Sequence, residues 1–567
     1  MYDVPSLVLG PLIRRGDDSQ FSVWVETSKP CQVTVLGATS ATFALAGHHY
    51  GIVDLPELSV DATEYEVHLD DALVWPDPAL GVPPSRIRIW SEGEPLVISG
   101  GSCRQQAPQM VPTVDSNRAA GMEATEELGV DALAALANEA IVNGRRLPNL
   151  LLLTGDQVYA DERHPSVTES LWNRRGGPPA EGWPEVTSFE EYTWLYQKTW
   201  AHPLIRWILS CVPSLMIFDD HDVIDDWNIS DTWVADISTE PWWQDRLQAA
   251  LMSYWVYQHI GNLSSAERNA DPIFVKLTSS DDGEQALRDH VRAVGTGPGR
   301  YEVSWSYNVE IGPVNVIVMD ARNGRVLEPE RRSMLSVRDW EFLDQALSQN
   351  PNVLLVSSVP WLLPAGVHSL ERLVSQTVAG RWGRRGRKIA ERLRREIDLE
   401  HWPAFGASVE MLTARLRNHV RSRTPDVPPV VFSGDVHFAY VAAQPLGEDE
   451  FAYQIVSSPL RQGDQQYEQL ARWAAMTSTF DRVMRRLHGR GFGRSVAKAR
   501  HRLLTDVWTR NNIATVRYSY ATDGSLKVNA TLEHADVVNA QLRLCPLVSR
   551  DLAPKISKMP TRARFRA

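Results

Sequence analysis

The 567-residue chain has no run of about 18 apolar residues, so nothing in it reads as a helix spanning a bilayer. Its first residues, Met1-Tyr2-Asp3-Val4-Pro5, supply neither a charged leader nor an apolar stretch for export. Cysteine is scarce: Cys31, Cys103, Cys211 and Cys545 lie more than 70 residues apart and form no CxxC pair. That spacing excludes a disulfide-rich scaffold and a zinc ribbon. Together these absences predict a cytoplasmic protein with no membrane partner. An excess of positive charge is also missing. With 58 basic and 70 acidic residues the formal charge is −12, which argues against a surface built as a whole to grip nucleic acid or anionic membrane and leaves room only for local basic patches.

What remains is an ordinary soluble composition, 43 % hydrophobic and 23 % charged, long enough for two or three domains. Residues 1–92 read as a small β-sandwich, because Phe21–Val25, Gln32–Leu36, Tyr65–Leu69 and Arg86–Trp90 alternate apolar and polar residues between Gly, Pro and Asp turns. Residues 93–567 change style. Leu150–Leu153, Leu215–Phe218, Val316–Met319, Val353–Val356 and Val430–Phe432 are continuous apolar runs, the pattern of strands buried on both faces. Helical patterns separate them, one around Leu133 and Leu136, one around Leu247 and Leu251, and one capped by Ser336. The segment 160–190 is a candidate lid, and 371–400 is a basic segment with Arg384, Arg385, Arg387 and Lys388; a second basic run extends from Arg485 to Arg502. The last 55 or so residues return to alternation and are expected to complete a sheet or pack on it.

Three of the buried runs end in polar clusters where a strand opens into a loop: Gly155-Asp156-Gln157-Val158-Tyr159, Asp219-Asp220-His221-Asp222 and Gly434-Asp435-Val436-His437. Strand carboxyl ends are where open α/β folds place their sites. Carboxylate and imidazole side chains converging from separate strands are what a pair of metal ions requires. Each residue also has a plainer reading. Cys103 fits a small buried hydrophobe, Tyr159 a ring packed under its loop, and His221 a structural histidine bonded to Asp219.

With Ser102-Cys103, the ordered set resembles the PhoD-like alkaline phosphatases of the metallophosphoesterase superfamily, whose pattern is Ser-Cys, Gly-Asp-x-x-Tyr, Asp-Asp-His-Glu and Gly-Asp-x-His. Met319-Asp320-Ala321-Arg322 is similar to a further segment of that family, and Asp222 departs from it where the pattern has Glu. The resemblance implies an α/β fold, a four-layer αββα core preceded by the β-sandwich. It implies a hydrolase of phosphomonoesters or phosphodiesters that works by attack of a metal-bound hydroxide. Cys103, Asp156, Tyr159 and His437 would hold one metal, expected as Fe(III), with Asp156 bridging to a divalent Ca, Mg, Mn or Zn ion on Asp220 and Asp435. His221 would be the general acid, and Asn228 and Arg322 candidate phosphate contacts. The expected partner is a phosphate-ester small molecule or a phosphodiester. A catalytically silent metal-binding scaffold and a nuclease-type phosphodiesterase are the rival readings.

Overall fold

The computed structural model describes residues 4–15, 20–58, 62–108, 127–184, 186–296, 304–462, 501–553 and 565–566. The basic run from Arg485 lies outside them except at its end. Two large sheets face each other. The first has ten strands in the order 541–551, 526–538, 512–520, 96–101, 150–154, 214–217, 7–14, 22–27, 48–54 and 43–45; the second has seven, in the order 307–311, 314–319, 353–357, 430–433, 451–456, 440–445 and 502–503. In the first, Leu96–Gly101, Leu150–Thr154 and Ser214–Ile217 run parallel, with Ile98 opposite Leu150 and Leu152 opposite Leu215. In the second, Val314–Met319, Val353–Ser357, Val430–Ser433 and Phe451–Val456 are parallel.

The continuous apolar runs are explained by which core each residue enters. Val316, Val318, Leu354, Val356, Val430 and Phe432 point into the core shared with the first sheet, which includes Ile98 and Leu151. Their neighbours Ile317, Met319, Val353, Leu355 and Val431 enter a second core beneath the helices Val337–Leu347 and Ser408–Arg423. A strand with helices on one face and a sheet on the other has no solvent face, so alternation vanishes from its sequence. On the far side, helices Ala132–Asn143 and Pro203–Cys211 cover the first sheet through Leu133, Leu136, Ile205 and Ile208. The fold is therefore α/β with the expected αββα layering. Among the described residues no helix is long and apolar enough to cross a membrane.

The amino-terminal sandwich is present, its core formed by Val23, Val25, Val33, Val35, Val67 and Trp75. Its four-stranded sheet, Ala38–Ala41, Gln32–Val35, Val67–Leu69 and Ala72–Trp75, belongs to it alone. The opposing strands do not: through Arg14 opposite Ser214 they continue the ten-stranded sheet. Composition cannot show such a junction, because it depends on one pairing between distant residues. Arg14 seals it. Its fully buried guanidinium donates to Ser214 Oγ at 3.1 Å, Gln258 O at 2.6 Å and Asn262 Oδ1 at 3.1 Å.

Two segments singled out in the sequence are helical. Within 160–190, Pro165–Arg175 starts at a His164 cap and stops at Gly176 in the left-handed region, and Arg174 and Arg175 pair with Glu190 and Glu191 of the next helix. Across the start of the basic segment and within it, Ala365–Gln376 and Gly383–Glu396 form an arm with its own small core of Leu370, Val374, Val378, Ala390 and Leu399.

A Cβ on Gly261 would lie 1.9 Å from Arg14 Nε, in the middle of a side chain already fixed at its far end. Gly261→Ala is expected to lower unfolding stability by about 2 kcal/mol, the usual scale of overpacking, read as a shifted urea midpoint. An unchanged midpoint would show that the junction yields.

Candidate metal centre

Six parallel strands end at one place. Gly101, Thr154 and Ile217 in the first sheet and Met319, Ser433 and Val456 in the second each give way to a loop that carries a polar cluster. Parallel strands aligned in register open their carboxyl ends on one edge, and two stacked sheets bring two such edges together. The loops are tight. Cys103, Asp156, Asp435 and His437 all have positive φ, of 57°, 50°, 68° and 56°, a conformation that costs non-glycine residues and clusters at functional sites. Two glycines make the close approach fit: a Cβ on Gly155 would come 2.5 Å from Asp219 Cβ, and one on Gly434 2.1 Å from Ser102 Oγ. That hydroxyl accepts the Asp435 N–H at 2.7 Å.

Asp156 and Asp219 are fully buried, and with Asp220 they bring one carboxylate oxygen each within 4.8 Å of one another. Asp220, Glu400 and Asp435 form a second such group. Asp156 Oδ1 and Asp219 Oδ2 are buried with no hydrogen-bond donor among the described residues. Burial, reinforced by Asp219, holds the Asp156 carboxyl well above its ordinary range, and burial pushes Asp220 up to about 7 although Arg322 pulls the other way. Donorless buried oxygens among like charges are a cradle that a cation completes, and carboxylate oxygens with one sulfur beside them suit hard and intermediate metals. The residues fit a metal.

Cys103 lies at the floor. Its thiol donates to Asp156 Oδ2 at 3.2 Å and to the Asp435 carbonyl at 3.3 Å, and accepts from Ser458 Oγ at 3.1 Å. Burial, with Asp156 and Asp435 adding to it, raises this thiol well above its usual value, so a thiolate there needs a neighbouring cation. Tyr159 donates its hydroxyl to Gln462 Oε1 at 2.9 Å and stacks on the His221 ring at 4.5 Å. His437 is anchored by its N–H to Ser458 Oγ at 3.0 Å, and burial together with His221 lowers its imidazole to about 3, leaving the neutral form that binds metals.

Arg322 occupies the middle of the second group. Its buried guanidinium pairs with Asp219 and Glu400 and lies 3.1 Å from both Asp220 Oδ1 and Asp435 Oδ1. Asn228 donates to the Arg322 carbonyl at 3.3 Å. Both candidate phosphate contacts are thus inside the centre, with Arg322 engaged by carboxylates.

His221 is bonded to Asp161, not Asp219, its Nδ1 being 2.9 Å from Asp161 Oδ1. Burial alone would lower its pKa; Asp161 outweighs that and holds the ring charged well above the usual histidine range. The departure from the family pattern, Asp222, works on backbone: it accepts the N–H groups of Asp156 and Asp219 at 2.9 Å and of Val158 at 3.2 Å, tying the first two loops together.

The candidate site residues therefore lie in one neighbourhood. Several partners were not foreseen. Asp219, Asp161 and Ser458 adjoin the motifs, but Glu400, His401 and Glu371 come from the arm. His401 bridges Glu371 Oε1 at 2.5 Å and Asp435 Oδ2 at 2.8 Å. The acidic run Asp398-Leu399-Glu400-His401 was the available signal, and it follows no apolar strand.

Comparison with known proteins agrees. A family model described as PhoD-like phosphatase matches residues 132–508, and one described as a domain of unknown function, DUF7800, matches residues 4–87. No curated protein matches. A solved structure titled "Structure of PhoD" superposes with a TM-score of 0.57 at 10 % identity, covering 100 % of this chain and 95 % of that one, which speaks for the fold. The phosphatase match takes in three of the four motif loops, Cys103 lying before it, and well over half of the chain: this protein belongs to the PhoD-like phosphatase family, metal-dependent enzymes that hydrolyse phosphoesters.

Proposed function

We propose that the protein hydrolyses phosphomonoesters, phosphodiesters or both at a centre of two metal ions. One observation carries this: buried carboxylate oxygens of Asp156 and Asp219, without donors among the described residues, beside Cys103 and a second carboxylate group that shares Asp220. Cys103, Asp156, Tyr159 and His437 would hold one ion, with Fe(III) suited to thiolate and phenolate donors. Asp220 and Asp435, with Asp156 shared, would hold a divalent Ca, Mg, Mn or Zn ion. Asp219 and Glu400 join the acidic shell. When bound, such a pair of ions activates water near neutral pH and neutralises phosphoryl oxygens.

The chain's own residues supply the rest. His221, kept charged by Asp161 at Nδ1, presents Nε2 as the proton donor to the leaving oxygen. Arg322 balances the carboxylates in place of solvent and holds them apart, which the contacts favour over direct substrate binding; Asn228 fixes its backbone. His401 is a positioning residue. With Glu371 behind it, it orients one Asp435 oxygen while Arg322 takes the other.

The reading is checked with p-nitrophenyl phosphate and bis-p-nitrophenyl phosphate alongside elemental analysis. Nitrophenol release should depend on bound metal and cease on chelation, and Asp156→Asn should lose both metal and turnover; full activity in metal-free protein would refute the proposal. Iron is tested by colour. Tyr159→Phe or Cys103→Ser should weaken a visible absorption band of the iron-loaded protein.

His221→Asn should slow turnover by about 10²–10⁴-fold, with the larger loss on alkyl phosphates, whose leaving oxygen needs the proton most. An equal loss on alkyl and nitrophenyl substrates would assign His221 to another task. For His401→Gln the expectation is about 10–100-fold weaker metal binding, read by competition with a chelator, with the fold retained.

A further inference from the structure

The arm helix Gly383–Glu396 has two faces of opposite character. Ala390 and Arg394 are buried on the inner face, where Leu393 and Ile397 pack on the arm's small core. Outside, Arg384, Arg385 and Lys388 are exposed and Arg387 is half-buried. None of these four has an ion-pair partner among the described residues, whereas Arg392, Arg394 and Arg395 on the same helix pair with Glu396, Glu391 and Asp236. Trp382, at the helix start, is 52 % exposed and Ile389 is 70 % exposed. Trp382 precedes the helix and Ile389 lies on it, and each adjoins the cations in sequence.

We propose that these cations, with the exposed Trp382 and Ile389, dock the protein peripherally on an anionic phospholipid bilayer. The charges are complementary to lipid phosphate, and they are local, because the chain as a whole carries −12. The apolar pair selects the occupant. An isoleucine gains nothing from a hydrated polyanion, but beside an indole and a basic face it has a place at the boundary between headgroups and acyl chains. This surface is separate from the metal centre and crosses no membrane, so it adds a partner to the phosphoesterase without altering its chemistry.

The test is co-sedimentation of the full chain with phosphatidylcholine vesicles, with and without phosphatidylglycerol. Binding should require phosphatidylglycerol, fall with added salt, and weaken about five-fold for each of Arg384→Ser, Arg385→Ser and Lys388→Ser. The pair Trp382→Ala and Ile389→Ser should also release the protein, and all variants should keep wild-type turnover of p-nitrophenyl phosphate, so that failure here is distinct from failure of the phosphoesterase reading. The proposal is overturned by no binding, by equal binding to phosphatidylcholine alone, or by an apolar-pair variant that binds as before. It is equally overturned if single-stranded polynucleotide or a second copy of the chain occupies the patch instead.

Discussion

Too much negative charge in too little water is the constraint on which the centre depends. Asp156, Asp219, Asp220, Glu400 and Asp435 converge at the joint edge of two sheets, nearly all of them buried. Two like charges about 4 Å apart repel by about 4 kcal/mol even at an effective dielectric of 20, so the group cannot ionise fully without cations. Arg322 supplies one inside the fold, touching four of the five. Asp156 Oδ1 and Asp219 Oδ2 lie beyond it, and they are where the demand for a cation is left. The protein thus neutralises part of its own cluster and leaves the remainder for metal.

Holding charges together against that repulsion takes a stiff frame. Four strained residues, at about 1 kcal/mol or more each, persist only because their surroundings over-determine them. Asp222 clamps the backbone of two loops, Ser102 clamps a third, and Ser458 ties the fourth to Cys103. The parallel strands behind these loops are buried on both faces, so the loops hang from tightly packed elements. Glycine at 155 and 434 follows from the same crowding, since neighbouring side chains occupy the space a Cβ would need.

How far the sequence reveals all this depends on distance along the chain. Buried strands announce themselves because both faces are apolar, and their polar ends are adjacent in sequence; hence Asp156, Asp220, Asp435 and the layered fold were readable. The joining of the sandwich to the ten-stranded sheet was not, for it rests on Arg14 meeting Ser214 across two hundred residues. Glu400 and His401 were hidden for a different reason. They reach the centre from a helical arm whose composition advertises positive charge, so local pattern pointed away from a metal site.

That arm also argues against treating long insertions as ornament. The turn after its second helix contributes Glu400 and His401, which bond to Arg322 and Asp435, and Glu371 of its first helix is tied to the same place through His401. Between these ends Trp382, Arg384, Arg385, Lys388 and Ile389 are exposed. A segment tied in this way to a crowded polar centre has little freedom to fold away its exposed cations and its isoleucine. Their exposure is therefore a property that the centre's own bonding imposes, and whatever binds the outer face does so at a fixed position relative to the carboxylates.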